Sequence, residues 1–370
     1  MFRLSLFFAL LIGLTAAQAE NSRFFDPDSG ELDLSEHLLT HSGFLPVPII
    51  ITEPAIGFGG GLAAVYFDES INNKAKRKSS ANQFSPPNIS LIGAFKTENG
   101  SQGAILGGFR SFADDQYRYT GGIGKVSFNL DYYGPLNNPR RFKIDGIGLM
   151  QQLTSRLGDS NWMLGGRYVY ASTEIEFPQL KPAFIDPYQL DLDIGRTGLL
   201  IGYDSRNNIL SPSAGVFFES ELAAARDWMG SSVNFEDFMA RAFAYVPISE
   251  KLNLGLRADI KAASDDAPFF FLPYIDLRGI PKARYQGTET YVAETELELK
   301  LNHRWSVVGF AGIGKADGTY LRQDFSETAS SVGGGFRYLI ASKLGLKAGI
   351  DIARGPEESA IYIQVGSAWR

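Results

Sequence analysis

Three histidines, a run of glycines and several spaced carboxylates are the side chains here that could do chemistry. His37 and His41 stand four apart, the one spacing that could put two imidazoles on a helix face toward a metal. His303 stands apart from both in a predicted turn, and no histidine sits beside a serine in a triad-like way. Asp26, Asp28, Gly30 and Asp33 supply oxygens, but an EF-hand loop needs an acid at its fifth position and glycine at its sixth. They read as a solvated turn followed by a helix cap. Gly57, Gly59, Gly60 and Gly61 lack the Lys-Ser/Thr pair and following helix of a phosphate loop. Their expected work is to relieve crowding inside a closed sheet or let strands bend. Glu296 and Glu298 could mimic a hydrolase dyad, but alternating charge on a wet strand face accounts for them better. The expectation is no enzyme, no catalytic residue, no cofactor and no metal.

Those residues must be positioned by something, and the first nineteen say where. Met1-Phe2-Arg3, an apolar run from Leu4 to Leu14 and Ala16-Ala17-Gln18-Ala19 read as a secretory signal peptide. The run is too short for a membrane helix, which needs about 20 apolar residues. The rest mixes 21 % charged residues with 40 glycines and 13 % aromatics. That combination fits a transmembrane barrel, which hides its hydrophobicity in alternation. With no Cys, thiolate metal sites and Cys nucleophiles are excluded. A net charge of −6 argues against nucleic acid as a partner.

Alternation is the main structural signal. In Thr295–Leu301 the leucines at 297, 299 and 301 fall on one strand face, and Glu294, Glu296, Glu298 and Lys300 on the other. In a barrel the leucines meet lipid and the charges a wet lumen. The stretches 252–257, 344–353 and 361–366 repeat the pattern. Strands are expected near 45–52, 57–68, 87–98, 101–113, 116–132, 140–157, 161–177, 191–206, 214–228, 234–247, 251–264, 287–301, 304–315, 330–341, 344–354 and 360–369. That is about sixteen, an even number as bacterial barrels have. Most even-to-odd connections are short, as periplasmic turns should be. Tyr133–Pro139, Pro178–Leu190, Ser264–Gln286 and Ala316–Ala329 are expected outer loops. One misfit is the basic link 69–86 with Lys74, Lys76, Arg77 and Lys78, a candidate docking site if not a solvated loop. Trp162, Trp228, Trp305 and Trp369 fall near strand ends, where interface girdles form. Asp33 or Ser35 could cap a short helix through His41, ending at Gly43. The expected plan is a signal peptide at 1–19, a pre-barrel periplasmic segment at 20–43 with no room for a folded domain, and a barrel at 44–370.

Several local motifs coincide in order. They are Asp204-Ser205-Arg206-Asn207-Asn208 before Pro212-Ser213-Ala214-Gly215, then Leu277-Arg278-Gly279-Ile280 with Arg284-Tyr285-Gln286-Gly287. Phe310-Ala311-Gly312-Ile313-Gly314, Gly333–Gly335 with Arg337-Tyr338, and Asp351-Ile352-Ala353-Arg354-Gly355 follow. The set resembles the BamA/TamA superfamily of outer-membrane barrels, the bacterial surface antigen family, most strongly from about 195 onward. It is similar to the small branch lacking POTRA modules, whose first hairpin Phe44–Pro54 also resembles.

The resemblance implies an all-β, sixteen-stranded transmembrane barrel whose long extracellular loop folds inward. Arg278 and Gly279 would be the loop's Arg-Gly pair, Glu296 the wall carboxylate and Phe310 the wall aromatic. Relatives often carry an acid two residues after that Phe. Here Gly312 stands there, leaving Glu296, and after it Glu298 or Asp351, as acid partners. Such barrels commonly end on an aromatic, whereas here Trp369 precedes Arg370. The function implied is outer-membrane biogenesis or translocation of protein or lipid, through a weak seam between first and last strands gated by the Arg278 loop. A passive or plugged diffusion channel is the alternative, since sixteen strands can enclose a pore. Expected partners are outer-membrane lipid and lipopolysaccharide, the barrel-assembly machinery during insertion, and a homodimer mate or periplasmic protein.

Overall fold

The computed structural model describes residues 24–68, 88–132, 140–177, 191–320 and 323–369. The expected signal peptide, the basic stretch Lys74–Lys78, the loops 133–139 and 178–190, and Arg370 lie outside the described residues.

Sixteen antiparallel strands follow one another in a single sheet. They are β1 (Gly43–Ile51), β2 (Gly59–Phe67), β3 (Ile89–Thr97), β4 (Gln102–Phe112), β5 (Tyr117–Tyr132), β6 (Arg140–Arg156), β7 (Trp162–Glu176) and β8 (Asp191–Asp204). The second half holds β9 (Gly215–Ala225), β10 (Phe235–Pro247), β11 (Leu252–Ala263), β12 (Glu289–Lys300), β13 (Trp305–Tyr320), β14 (Gln323–Ala341), β15 (Leu346–Arg354) and β16 (Ser359–Val365). Each strand pairs with its sequence neighbours. Among the described residues no pairing links β1 to β16, so the sheet curls into a nearly closed barrel with one seam.

The period of two sets what each face meets. Leu297 pairs with Leu254 and Gly309 on the outside, and Glu296 with Gly255 and Phe310 on the inside. The outer face is a belt of exposed apolar side chains, with Leu199 72 %, Leu222 62 % and Leu62 60 % accessible. An apolar surface running round a molecule belongs in hydrocarbon, and a barrel crosses it with few unpaired backbone groups. Inside, Gly59 and Gly61 do relieve crowding, because a Cβ on either would lie within 2.5 Å of the β3 backbone.

Three expectations are corrected. The loop expected at Ala316–Ala329 is strand at 316–320 and 323–329, its described residues. β13 runs to Tyr320 and β14 starts at Gln323, with Lys315 opposite Thr328 and Thr319 Oγ1 donating to Asp324 at 3.0 Å. Much of this hairpin is polar, so alternation could not reveal it. β16 stops at Val365, where Gly366 turns the chain inward at φ +81°. Trp369 is therefore no girdle residue. It is 4 % accessible inside the barrel, whereas Trp162, Trp228 and Trp305 are exposed.

Residues 24–42 run beneath the end of the barrel that carries the short turns. Their one helix, α1 (Ser35–Thr40), is capped by the Leu34 backbone rather than by Asp33 or Ser35. Asp33 instead accepts from Ser35 N at 2.7 Å and from Arg304 Nη1 at 2.7 Å. Arg304, in the β12–β13 turn, also holds Asp26 and Glu31. Leu34 N donates to Ile340 O, and Tyr338 OH donates to Leu32 O. The segment thus leaves the foot of β1 and is moored to turns on the far side of the seam. Burial raises the Asp33 carboxyl, but Ser342, Ser35 and Arg304 outweigh it and hold it well below the usual carboxylate range.

Candidate functional site: the loop in the lumen

The connection from β11 to β12 folds into the barrel as a hairpin. Tyr274 bridges Gln286, and Ile275 N donates to Tyr285 O at 3.0 Å. Ile275, Leu277, Ile280 and Tyr285 form a buried cluster with Val292, Ala316 and Ala329 of the wall. Upstream, Phe269 packs on Phe142 and Ile175, and Ala267 on Ile194 and Phe235. Apolar side chains therefore carry the loop inward, and its polar tip follows.

At that tip Arg278 is 9 % accessible. Its Nε and Nη2 donate to Glu294 Oε1 at 3.0 and 2.7 Å. Nη1 reaches Asp351 Oδ2 at 2.8 Å and Glu296 Oε2 at 2.7 Å. The guanidinium carbon stands 3.4 Å from the centre of the Phe310 ring. A planar cation stacked on an aromatic and forked into carboxylates is the geometry arginine offers and lysine does not. Gly279 is needed next to it. Its φ is +89°, and an added Cβ would lie 2.9 Å from Gly355 N. Gly279 N donates to Tyr362 OH at 2.8 Å, joining the tip to β16.

The structure thus brings Arg278, Gly279, Glu296, Phe310 and Asp351 together. Glu298 stays apart, one step of two residues along β12, where it meets Lys347 at 2.5 Å and Ser306 Oγ at 2.5 Å. The sequence reading missed Glu294 as the main partner, although period two already put it on the inner face. It also missed Arg337, which pairs Asp351, and Arg257, whose Nη1 reaches Glu294 Oε2 at 3.2 Å. Trp369 Nε1 donates to the same Oε2 at 2.8 Å. Three guanidiniums face Glu294, Glu296, Asp351 and Asp259, a nearly balanced buried set. Gly312 is explained by packing. A Cβ there would lie 2.5 Å from Leu277 Cδ2, so the loop's apolar anchor occupies the space an acid would need.

Two further contacts fix the loop. Arg284 Nη2 lies 2.8 Å from Glu357 in the β15–β16 turn, and Tyr285 OH donates to the same carboxylate. Burial and that hydrogen bond push the Tyr285 phenol up to about 12. On the other side, Lys282 N donates to Glu53 Oε1 at 3.3 Å, the loop's tie to the β1–β2 connection. Between the loop, β1 and β16 opens a cavity of about 660 Å³ lined by Val47, Ile49, Arg278, Tyr362 and Gln364. Pro46 and Pro48 of β1 have no N–H, and strands accept proline where its nitrogen faces away from the partner. The β1 edge toward β16 therefore lacks two donors. Among the described residues no cluster of three or more His, Asp or Glu could hold a metal.

No protein-family model matches the sequence, and no curated protein matches it. Solved structures do. BamA from Haemophilus ducreyi lacking POTRA domains 1–3 superposes with a TM-score of 0.61 at 12 % identity, over 88 % of this chain and 69 % of that one. CdiB from Escherichia coli gives 0.60 at 9 % identity, over 86 % of this chain and 61 % of its own. CdiB from Acinetobacter baumannii gives 0.56 at 9 %, over 87 % and 59 %. The chain thus spans about three fifths of either CdiB. At these identities the likeness speaks to the fold: the chain is folded as a BamA-type barrel.

Proposed function

We propose that this protein is a non-catalytic bacterial outer-membrane barrel that passes or inserts its substrate sideways through the seam between β1 and β16. The observation that carries the reading is the unpaired seam itself, opening on a cavity that reaches Arg278. Unpaired strand edges are normally covered, charged or blunted by proline, and here Pro46 and Pro48 blunt the β1 edge without closing the seam. The loop braces one side of the gap far more than the other. Arg278, Gly279 and Arg284 are tied to β12, β15, β16 and the β15–β16 turn, while Glu53 is the contact toward β1. The short turns face the periplasm in this reading, and the apolar belt sits in the outer membrane.

Because the chain has no Cys, one engineered cysteine on β1 and one on β16 make a unique pair. Bridging Pro48→Cys to Ile363→Cys with a bismaleimide in cells should abolish complementation of a deletion strain's outer-membrane defect. The single variants should complement. Full activity of the bridged barrel would end the reading. A plugged diffusion channel has one observation in its favour, the loop seated in the lumen. That reading predicts planar-bilayer conductance that rises when residues 270–286 are removed.

A further inference from the structure

The lumen has two unlike walls. From β8 to β15 it is charged, with Arg196 on Glu221 and Asp237, Arg257 on Asp259, and the Arg278 set. From β1 to β4 the register directs no charged side chain inward. The inward residues there are Leu45, Val47, Ile49, Val65, Leu91 and Ile105, with glycines between them. Ile105 is 44 % accessible although it faces inward. Barrel lumens are usually polar, so this wall is the exception.

The apolar wall carries an open-sided slot of about 470 Å³ across β3 to β7. Ile89, Leu91, Ile105, Phe109, Met150 and Val169 supply its sides. Gly107 pairs with Gly122 and Gly124 with Gly148, so its floor is bare backbone. Gly107 is demanded by its neighbour, since a Cβ would lie 2.9 Å from Gly121 O, and Gly122 and Gly124 are tight at 3.0 and 3.1 Å. Gly148 is not: a Cβ there would meet only Tyr170 O at 3.6 Å, an ordinary contact. Glycine at 148 therefore keeps space open rather than avoiding a clash.

We propose that this slot binds an acyl chain of a membrane lipid, admitted through the β1/β16 seam. The volume falls in the range of small-ligand sites, about 300–1,000 Å³. Of the inward side chains lining it, only Thr120 carries a polar atom, and the strand backbones are spent in their ladders. An extended polypeptide would leave its own N–H and C=O groups without partners there, whereas an acyl chain has none to satisfy. The β1 side of the route is apolar, facing the charged Arg278 side of the seam cavity. β1 turns Phe44 and Ile50 outward and Leu45, Val47 and Ile49 inward, so the lipid-facing belt and the slot wall meet at the seam. The inference deepens the proposed function by naming lipid as the substrate class, and it rests on the seam being a passage.

The test is photolabelling in vesicles of phosphatidylethanolamine and phosphatidylglycerol. They carry trace phosphatidylcholine with a diazirine near the end of one acyl chain. The proposal expects adducts on the inward residues Leu91, Ile105 and Met150 as well as on outward Leu106 and Ile123. In Gly148→Leu a side chain displaces about two methylenes of bound chain, so inward adducts should fall about tenfold. Outward adducts, which also report a folded and inserted barrel, should not change. Adducts confined to outward residues, or inward adducts indifferent to Gly148→Leu, would overturn the proposal. Loss of complementation on bridging the seam, with adducts confined to the outside, would leave the sideways passage standing and remove the lipid slot alone.

Discussion

Replacing Arg278 by alanine tests how the loop is held. The guanidinium makes two hydrogen bonds to Glu294 and one to Asp351, pairs Glu296 and covers Phe310. Glu294 and Asp351 have fully buried carboxylates. Alanine would leave four carboxylates facing two guanidiniums. Breaking a buried pair by removing one partner costs about 3–5 kcal/mol. That shifts the docked-to-undocked balance of the loop tip by roughly two to four powers of ten. Limited trypsinolysis in vesicles reads this directly, because Arg284 lies on the tip and is buried only while it is docked. Arg278→Ala should be cut there at least a hundredfold faster. Arg278→Lys, which keeps the charge but loses the fork and the stacking, should fall between. Glu298→Gln, whose partners are Lys347 and Ser306, should be cut at the wild-type rate. If Arg278→Ala resists trypsin like wild type, the apolar cluster alone holds the loop and the reasoning fails.

Gly312→Asp would add a carboxylate near Arg278 yet should loosen the tip, because its Cβ displaces Leu277; overpacking of this kind costs about 1–3 kcal/mol and would appear as faster trypsin cutting. Trp369→Ala should lower unfolding stability in vesicles by about 3–5 kcal/mol. Trp369→Phe should keep the packing on Phe243 and Tyr245 and lose only the bond to Glu294, about 1–3 kcal/mol. Asp33 gives a pH test. Its folded value lies below the ordinary 3.8, so its contribution is complete above that value and is lost as pH falls below it. Pepsin cleavage within residues 24–42 should rise as pH drops from about 4 to about 2, and Asp33→Asn should be cut readily across that range. An unchanged pH profile in Asp33→Asn would show that another group controls the release.

The barrel was legible because one physical rule governs most of it. In Thr295–Leu301 every second side chain meets hydrocarbon, and the same rule returns the outlines of nearly all the strands. It failed where a strand is largely polar on both faces, as at 324–328, and where the chain leaves the sheet, as at Gly366. Partner choice was less legible. Glu294, Glu296 and Glu298 share a face by spacing alone, and only the depth to which Leu277 and Ile275 carry the loop selects Glu294 as the main acceptor. Gly312 read as a missing acid until its real neighbour, Leu277, was seen. Trp369 looked like an interface residue because nothing in its flanks announces that the tail turns inward. The apolar inner wall of β1–β4 was hidden for the opposite reason. Strands apolar on both faces carry no alternation to interpret.

The mooring of residues 24–42 has a mechanical meaning. The foot of β1 is strapped by Arg304, Asp33 and Leu34 to turns on the opposite bank of the gap, whereas its head is tied to the loop through Glu53. A ribbon fixed at one end and lightly held at the other pivots about the fixed end. The gap should therefore part as a wedge, widest at the loop end and narrowest at the strap, like a zip drawn from the top. On the proposed function, whatever leaves through it does so first near the membrane's outer surface, and the strap sets how far down the opening can run.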